Sequence, residues 1–503
     1  MKPSNLFVYP VLALLSMSAP LSAIRADEAD LPPLPVREVN LKNGLTVLLL
    51  ERHHSPTVAC QIAFKVGSNN ERTGVTGSAH MLEHMMFKGT RTIGTKHYES
   101  EVPVMAEIDR LANLILDEKL KGDEADTKQI EEWHAGLKAK QEEQRQFIIS
   151  EEMANIYKKR GGTGMNAYTS DDYTNYIIKL PSNKLELWCW LESDRITSPV
   201  FREFYSEKEV VTEERRMRHD DDPGGALWEL FMATAYHAHP YRWPTIGWPS
   251  DISNYRRETM EEFFARYYAP NNAVVVWVGD FDTDEAISLI TKYFQGLPAQ
   301  EPPPDVTTQE PAQRGERRAV REFDANPSLI IGWHATPLNH PDQPVLEVIE
   351  GILSSGRTSR LYTKLREEEQ LATDVGAYLM RSEYPGQFLV YADPLKGVSL
   401  EKIEETLLAE VDRLREEPVS EWELQRVKNG LQADYVRKLE SNYELAKELA
   451  EYECKADWTD LSESERRKQH VTAEDVQAVA KKYFNPAQRT TAALKPPENK
   501  ESM

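Results

Sequence analysis

The chain has 503 residues, of which 40% are hydrophobic and 28% are charged, as in ordinary soluble proteins, and it is long enough for two or more domains. Its formal net charge of −22 argues against a nucleic-acid partner, because no basic stripe offsets the acidic excess. Three cysteines are too few to build a disulfide framework.

Residues 1–26 have the pattern of a secretory signal peptide. Lys2 is followed by an apolar run from Leu6 to Leu15 and then by small residues, with possible cleavage after Ala23 or Ala26. Two prolines interrupt a run that is already too short to span a membrane well. No later apolar stretch is long enough to cross a bilayer, so we expect a periplasmic or secreted protein without a membrane span.

Two strands are predicted near the start of the remaining chain. They cover Leu41 to Glu51, with a turn marked by Asn43-Gly44, and Thr57 to Val66, where Val58, Cys60, Ile62, Phe64 and Val66 alternate in phase. Their closeness in the chain predicts that they pair with each other.

The most informative stretch, Ala79 to Phe87, contains the pattern His-x-x-Glu-His. It lacks proline and glycine and is rich in methionine and leucine, which predicts a buried helix. Positions four apart share one helical face, so His80 and His84 present two imidazoles together, with Glu83 beside them. Imidazole is a good zinc ligand, and a carboxylate beside a catalytic zinc can act as general base. A third ligand must come from elsewhere.

A pair of core histidines with satisfied hydrogen bonds is the alternative interpretation of His80 and His84. Glu83 weighs against that alternative, because an unpaired carboxylate among methionines is costly to bury. We therefore favour zinc.

A long charged segment from about Tyr98 to Lys159 comes next. Its periodic apolar residues predict two helices broken near Gly122, which we interpret as a solvated helical hairpin inserted into the domain. After a pair of glycines, aromatic and branched residues between Met165 and Ile178 predict strands.

The predicted helix at about Glu203 to Arg218 carries candidates for the third ligand. Glu207 and Glu214 are seven residues apart, two turns along one face, which suits a ligand and a residue that supports a ligand. Spacing alone does not separate them from Glu209 and Glu213.

A stretch with five prolines, residues 298–318, predicts a linker. It separates an N-terminal domain, residues 35–297, from a C-terminal domain, residues 319–497. Both domains end with a helix, an aromatic pair, a proline turn and a strand, around Tyr267 to Asn272 and around Tyr483 to Gln488. The halves are therefore predicted to be repeats, of which only the first carries the metal motif.

Five stretches of the chain resemble the pitrilysin or insulinase family of zinc peptidases, the inverzincins, and in particular the half-length branch that includes mitochondrial processing peptidase. They are Gly77–Thr90, Asn166–Ser170, Glu209–Glu214, Tyr267–Asn272 and Ser359–Arg366. The resemblance covers nearly the whole mature chain. It implies an α+β fold with two similar domains, each an antiparallel sheet covered by helices, joined by the proline-rich linker.

The resemblance also implies roles for residues of the metal motif. His80, His84 and Glu214 would hold one Zn²⁺ per chain, Glu83 would activate the attacking water, and Glu207 matches the family's supporting glutamate. We expect the helical insertion to decorate the domain without moving these ligands.

Other matching residues concern the substrate and a partner chain. Asn166 and Ala167 match a strand that pairs with an extended peptide. Arg366 matches the arginine of an Arg/Tyr pair in the family's active chambers, but Thr373 stands where the tyrosine would be. Since the chambers need four domains, we expect a heterodimer with a similar chain that lacks zinc ligands and supplies the Arg/Tyr pair; a homodimer is the second choice.

The leading hypothesis is a secreted zinc endopeptidase, the catalytic subunit of a dimeric chamber, that hydrolyses unfolded peptides. The alternative is a non-catalytic subunit or assembly scaffold of the same fold. Intact His80, Glu83, His84 and Glu214 favour the first hypothesis.

Overall fold

The computed structural model of the protein describes residues 33–497, and the predicted signal peptide, residues 1–26, lies outside them. The first half contains β1 (Arg37–Asn40), β2 (Thr46–Glu51), β3 (Thr57–Phe64), α1 (Ser78–Met85), α2 (Tyr98–Lys119), α3 (Thr127–Arg145), α4 (Glu152–Lys159), β4 (Thr163–Thr169), β5 (Thr174–Pro181), α5 (Leu185–Thr197), α6 (Phe204–Arg215), α7 (Pro223–Ala235), α8 (Pro249–Ser253), α9 (Arg257–Tyr267), β6 (Ala273–Gly279) and α10 (Thr283–Phe294). The second half contains β7 (Arg317–Glu322), β8 (Ser328–His334), α11 (Gln343–Ser354), β9 (Ala372–Leu379), β10 (Gln387–Pro394), α12 (Leu400–Glu416), α13 (Glu421–Glu440), α14 (Asn442–Lys455), α15 (Asp460–His470), α16 (Ala473–Tyr483) and β11 (Arg489–Lys495). Two π-helical segments, Arg216–Asp220 and Tyr362–Glu368, supplement these helices.

Two sheets of the same design organise the molecule, which confirms the predicted fold class. The strand order is β1-β2-β6-β3-β5-β4 in the first sheet and β7-β11-β8-β10-β9 in the second. Neighbouring strands are antiparallel except for one parallel pair in each sheet, β2 with β6 and β7 with β11. Apart from β1, the two sheets therefore share one order and one set of strand directions.

The first two predicted strands correspond to β2 and β3, and the prediction that they pair directly is wrong. β6 lies between β2 and β3 and bonds to both of them. The five-residue connection reaches about 16 Å, which is enough to cross a gap of two strand spacings, about 10 Å. Closeness in the chain therefore did not require closeness in the sheet.

Each sheet has one face covered mainly by helices of its own half and the other covered by a helix of the opposite half. α14 of the second half packs its buried Leu445 and Leu449 against Val274 and Val276 of the first sheet. α7 of the first half packs its buried Phe231 against the second sheet. The two halves are thus joined by reciprocal helix packing on both sheets.

The charged insertion forms three helices, α2, α3 and α4, where two were predicted. The predicted break occurs at a 3₁₀ turn, Gly122–Glu124, but the chain also leaves helical geometry after α3. There the backbone of Lys96 donates to the carbonyl of Phe147 at 2.7 Å, and Ile149 donates to the carbonyl of Gly94 at 3.0 Å. These tertiary hydrogen bonds replace the helical ones and bring the end of the insertion back to the domain.

Across residues 33–497, none of the helices combines the length and the apolar character that crossing a bilayer requires.

Candidate metal centre

α1 carries the His-x-x-Glu-His motif and packs against the hydrophobic core of the first half. Met81, Leu82 and Met85 are fully buried and pack into this core, which fixes the rotation of the helix. His80 and His84 then share the opposite face, with their ring centroids 4.7 Å apart. The predicted buried helix and the shared face are both present.

α6 brings Glu214 to the two imidazoles. Its Oε2 lies 3.3 Å from Nε2 of His84 and 3.7 Å from Nε2 of His80, and the ligand atoms of the three residues all lie within 4.8 Å of one another. Two ligands of a tetrahedral zinc ion, each about 2.0–2.1 Å from the metal, are about 3.3 Å apart. Two imidazole nitrogens and one carboxylate oxygen at these separations fit a zinc ion, and that these residues hold one stays a prediction.

The competing glutamates of α6 lie away from this group. Glu213 is about half exposed and pairs with Arg216 at 2.5 Å on the surface. Glu209 is exposed to solvent. Only one side of α6 is buried. Of its four candidate glutamates, Glu207 and Glu214 lie on that side and reach the imidazoles.

Glu207 holds the ring of His84. Its Oε1 lies 2.9 Å from Nδ1 of His84, and its Oε2 is 2.5 Å from Nζ of Lys88. Burial raises the pKa of Glu207, but the hydrogen bonds from His84 and Lys88 outweigh that effect and lower it. The contact leaves Nε2 of His84 free to face Glu214.

The two histidines differ in their protonation. Burial, and then the charge of neighbouring His84, lowers the pKa of His80 to about 4. Burial also lowers the pKa of His84, but the carboxylates of Glu207 and Glu214 outweigh it and raise that pKa to about 9. Neutral His80 is ready to bind a cation, whereas His84 must release a proton first.

Arg218 is a contact of the centre that the sequence reasoning missed. It lies in the π-helical segment after α6, and its Nη1 is 2.9 Å from Oε1 of Glu214. This ion pair occupies one carboxylate oxygen and leaves Oε2 toward the histidines. The spacing of four residues between Glu214 and Arg218 on one helix was the available signal.

Glu83 lies beside the ligand group and is fixed by the last residue of β4. Its Oε2 accepts a hydrogen bond from Oγ1 of Thr169 at 2.7 Å. Burial is the largest influence on the carboxyl group and raises the pKa of Glu83. The raised pKa makes Glu83 a stronger base than an exposed carboxylate, and its oriented oxygen suits proton transfer.

The predicted substrate residues fall in two separate places. Asn166 and Ala167 lie on β4, an edge strand of the first sheet, and β4 ends at Thr169 next to Glu83. Arg366 is exposed in the second half, with its guanidinium 4.9 Å from the ring centre of Tyr362. Thr373 lies on β9, where its hydroxyl donates to the carbonyl of Asp393 at 3.1 Å.

A cavity of about 430 Å³ adjoins Glu83 and His84. Part of its wall is residues 148–153, the connection between α3 and α4 with the start of α4, and Phe87 and Glu203 form other parts. The insertion was expected to leave the ligands in place, and His80, His84 and Glu214 do meet. The insertion also borders the cavity beside the candidate centre.

Two family models match the chain. The model described as Insulinase (Peptidase family M16) matches residues 46–107, which include His80, Glu83 and His84. The model described as Peptidase M16 inactive domain matches residues 254–431.

Similar proteins and structures cover most of the chain. The zinc protease PqqE of Helicobacter pylori is 30% identical over 471 residues, 92% of this chain and 94% of that protein. An uncharacterized zinc protease of Rickettsia felis is 26% identical, over 78% of this chain and 81% of its own length.

Two solved structures show how far the fold extends. A protease from Helicobacter pylori matches with a TM-score of 0.79 at 29% identity, over 92% of this chain and 100% of that one. The periplasmic protease PqqL of Escherichia coli has the same fold, with a TM-score of 0.67 at 18% identity, over 93% of this chain but 48% of that one. The extent and identity of the match to PqqE confirm the resemblance, and the chain belongs to the insulinase family of peptidases, peptidase family M16.

Proposed function

We propose that this chain is a zinc-dependent endopeptidase and the catalytic subunit of its assembly. The observation that carries the proposal is the meeting of His80, His84 and Glu214, whose ligand atoms lie within 4.8 Å of one another, with Glu83 beside them. The zinc protease names of its relatives support the choice of metal.

The chain's own residues account for the proton transfers of peptide hydrolysis. Zinc held by His80, His84 and Glu214 would supply Lewis acidity that makes water a stronger acid. Glu83 accepts a proton from the attacking water and later delivers it to the departing amine. The hydroxyl of Thr169 fixes one oxygen of Glu83 at 2.7 Å, so the other oxygen is available for this transfer.

The substrate is an unfolded peptide bound as an added strand. β4 is an edge strand, so its outer backbone groups are free of sheet partners among the described residues. A peptide paired along Asn166 and Ala167 would run toward Thr169 and Glu83. One of its side chains would enter the 430 Å³ cavity whose wall includes the connection between α3 and α4.

Zinc content and cleavage of a quenched, unstructured peptide test the proposal together. Glu83→Gln is expected to keep zinc and lose activity, and His80→Ala is expected to lose both. Glu209→Gln serves as the matched control, because Glu209 lies on the same helix as Glu214 but is exposed. Retained hydrolysis by Glu83→Gln would exclude Glu83 as the base, and a native chain that binds no zinc would refute the whole proposal.

The active form is a dimer that closes a chamber. Arg366 is exposed and Thr373 occupies the tyrosine position, so we favour a partner of similar fold that supplies the Arg/Tyr pair, with a homodimer as the second choice. PqqL is about twice as long as the matched region, which agrees with an assembly built from two such halves. Purification of the active fraction from the native source distinguishes the two, since a single polypeptide there would contradict the heterodimer.

A non-catalytic subunit is the competing function. The match of residues 254–431 to a domain described as inactive favours it, but those residues lie outside the candidate metal centre. Zinc content without cleavage of any peptide by the assembled protein would support this alternative.

We place the protein in the periplasm or outside the cell. The sequence pattern of residues 1–26 supports this, and so does the description of PqqL as periplasmic. Cell fractionation with N-terminal sequencing tests it, and a full-length chain recovered from the cytoplasm would contradict it.

A further inference from the structure

The first turn of α1 has no capping side chain of its own. Its N-cap residue is Gly77, in the left-handed region at φ +87°. A Cβ atom at this position would lie 2.3 Å from the carbonyl oxygen of Ile246 and 2.5 Å from Oη of Tyr255. The serine, threonine or aspartate that usually caps a helix is therefore excluded here.

Glu71 supplies the missing cap from six residues earlier. Its Oε2 accepts the backbone N–H of Gly77 at 2.6 Å, and its Oε1 accepts that of Ala79 at 2.7 Å. The residue is only 8% exposed, so water contributes little to this contact. Burial raises the pKa of Glu71, whereas the hydrogen bonds from Ala79 and Gly77 lower it. The positive end of the helix dipole also favours the carboxylate form. Ala79 immediately precedes His80, so the contact fixes the backbone next to the first candidate ligand.

The segment that carries Glu71 is also hydrogen-bonded to the residues that follow the edge strand β4. The backbone of Ser68 donates to the carbonyl of Ser170 at 3.2 Å, and that of Asn69 donates to the carbonyl of Asp171 at 2.9 Å. Oγ of Ser68 donates to the carboxylate of Asp171 at 2.9 Å. These partners directly follow Thr169, whose hydroxyl binds Glu83. One short segment therefore contacts both α1 and the end of β4.

We propose that Glu71 is a positioning residue that sets α1 relative to the edge strand β4. Through α1 it fixes the placement of His80 and Glu83 against a peptide bound on that strand. This inference rests on the proposed zinc peptidase function for its catalytic meaning.

Zinc affinity, measured by competition with a chelator, tests the proposal. Glu71→Ala is expected to weaken zinc binding about tenfold, as the loss of residues that orient metal ligands does. Glu71→Gln keeps one acceptor oxygen and is expected to have a smaller effect, and it replaces the alanine variant if that variant does not fold.

Glu310→Ala is the matched control. The side chain of Glu310 is 10% exposed and accepts the backbone N–H groups of His237, Ala238 and His239, but it contacts no residue of the candidate centre. Both alanine variants remove a buried carboxylate from backbone donors and should lower the melting temperature. Only the Glu71 variants should weaken zinc binding.

Hydrogen exchange of the metal-free protein provides a readout that does not depend on zinc. The backbone amides at the start of α1 should exchange faster in Glu71→Ala than in Glu310→Ala or the native chain. Unchanged exchange there would overturn the proposal, and so would zinc binding within about twofold of native or an equal loss in the control. Absence of zinc binding by the native chain would instead overturn the proposed function and leave exchange to decide the role of Glu71.

Discussion

Removal of the Glu207 carboxylate is expected to weaken zinc binding about 10- to 100-fold. The carboxylate makes a 2.9 Å hydrogen bond to Nδ1 of His84 and a 2.5 Å ion pair with Lys88, and its side chain is 13% exposed. This hydrogen bond is already present without zinc, so its loss acts through the orientation and basicity of the His84 ring. Loss of a residue that orients a metal-binding histidine costs about 10- to 100-fold in metal affinity, or about 1.4–2.7 kcal/mol. Glu207→Ala should approach the upper value, because it also leaves Lys88 without its nearest carboxylate. Glu207→Gln should stay near the lower value, because its amide oxygen still accepts from the imidazole.

Chelator competition at neutral pH measures these affinities, with Glu209→Gln as the control from an exposed position on the same helix. The double variant Glu207→Gln with Lys88→Met should bind zinc at least as well as Glu207→Gln alone, since it leaves no partly buried charge without a partner. Zinc binding by Glu207→Ala within about twofold of native would refute the reasoning that this carboxylate orients His84.

Three further predictions concern stability. Arg202→Met should lower the free energy of unfolding by about 3–5 kcal/mol in denaturant titrations, because it leaves the carboxylate of Glu101 buried without its cation; a loss near zero would contradict this. Burial is the main influence that raises the pKa of Glu350 from 4.5 to about 7, so the folded protein holds a proton that the unfolded chain has released, and stability is lost as the pH rises through about 7. Glu350→Gln should therefore stabilise the protein by about 2–3 kcal/mol at pH 8 and much less at pH 5, and equal gains at both pH values would count against it. Gly77→Ala should lower the melting temperature more than Gly74→Ala, because both glycines have positive φ but only the first has a backbone carbonyl 2.3 Å from the added carbon.

The part of the site that lies on one helix was predictable from the sequence. His80, Glu83 and His84 are held together by helical geometry alone, so their spacing indicated their shared surface. Glu214 is distant in the chain, and spacing left it equivalent to Glu213 until the resemblance distinguished them. Glu71 was missed because its partners, Gly77 and Ala79, depend on a loop that turns back onto the helix.

The two similar halves were predictable from the sequence, but the order of the strands and the packing of helices between the halves were not. The recurring order of a helix, a proline turn and a strand, which ends in β6 and in β11, indicated two similar halves. The insertion of β6 between β2 and β3 had no local pattern, because a buried strand has the same apolar residues whichever strands flank it. The packing of α7 and α14 on the opposite halves was equally invisible, since an amphipathic helix does not specify which sheet covers its apolar side.

The sequence by itself determined the two repeated halves, the two imidazoles on one helical face and, through family resemblance, the class of chemistry. The tertiary structure alone decided that Glu207 bonds to His84 while it pairs with Lys88, and that Arg218 occupies one oxygen of Glu214. It also decided that the connection between α3 and α4 borders the cavity beside Glu83. The physical reason is how far apart the residues lie along the chain. Residues up to four apart on a helix have distances fixed by backbone geometry, whereas residues far apart in the chain meet only where the packing of whole elements brings them together.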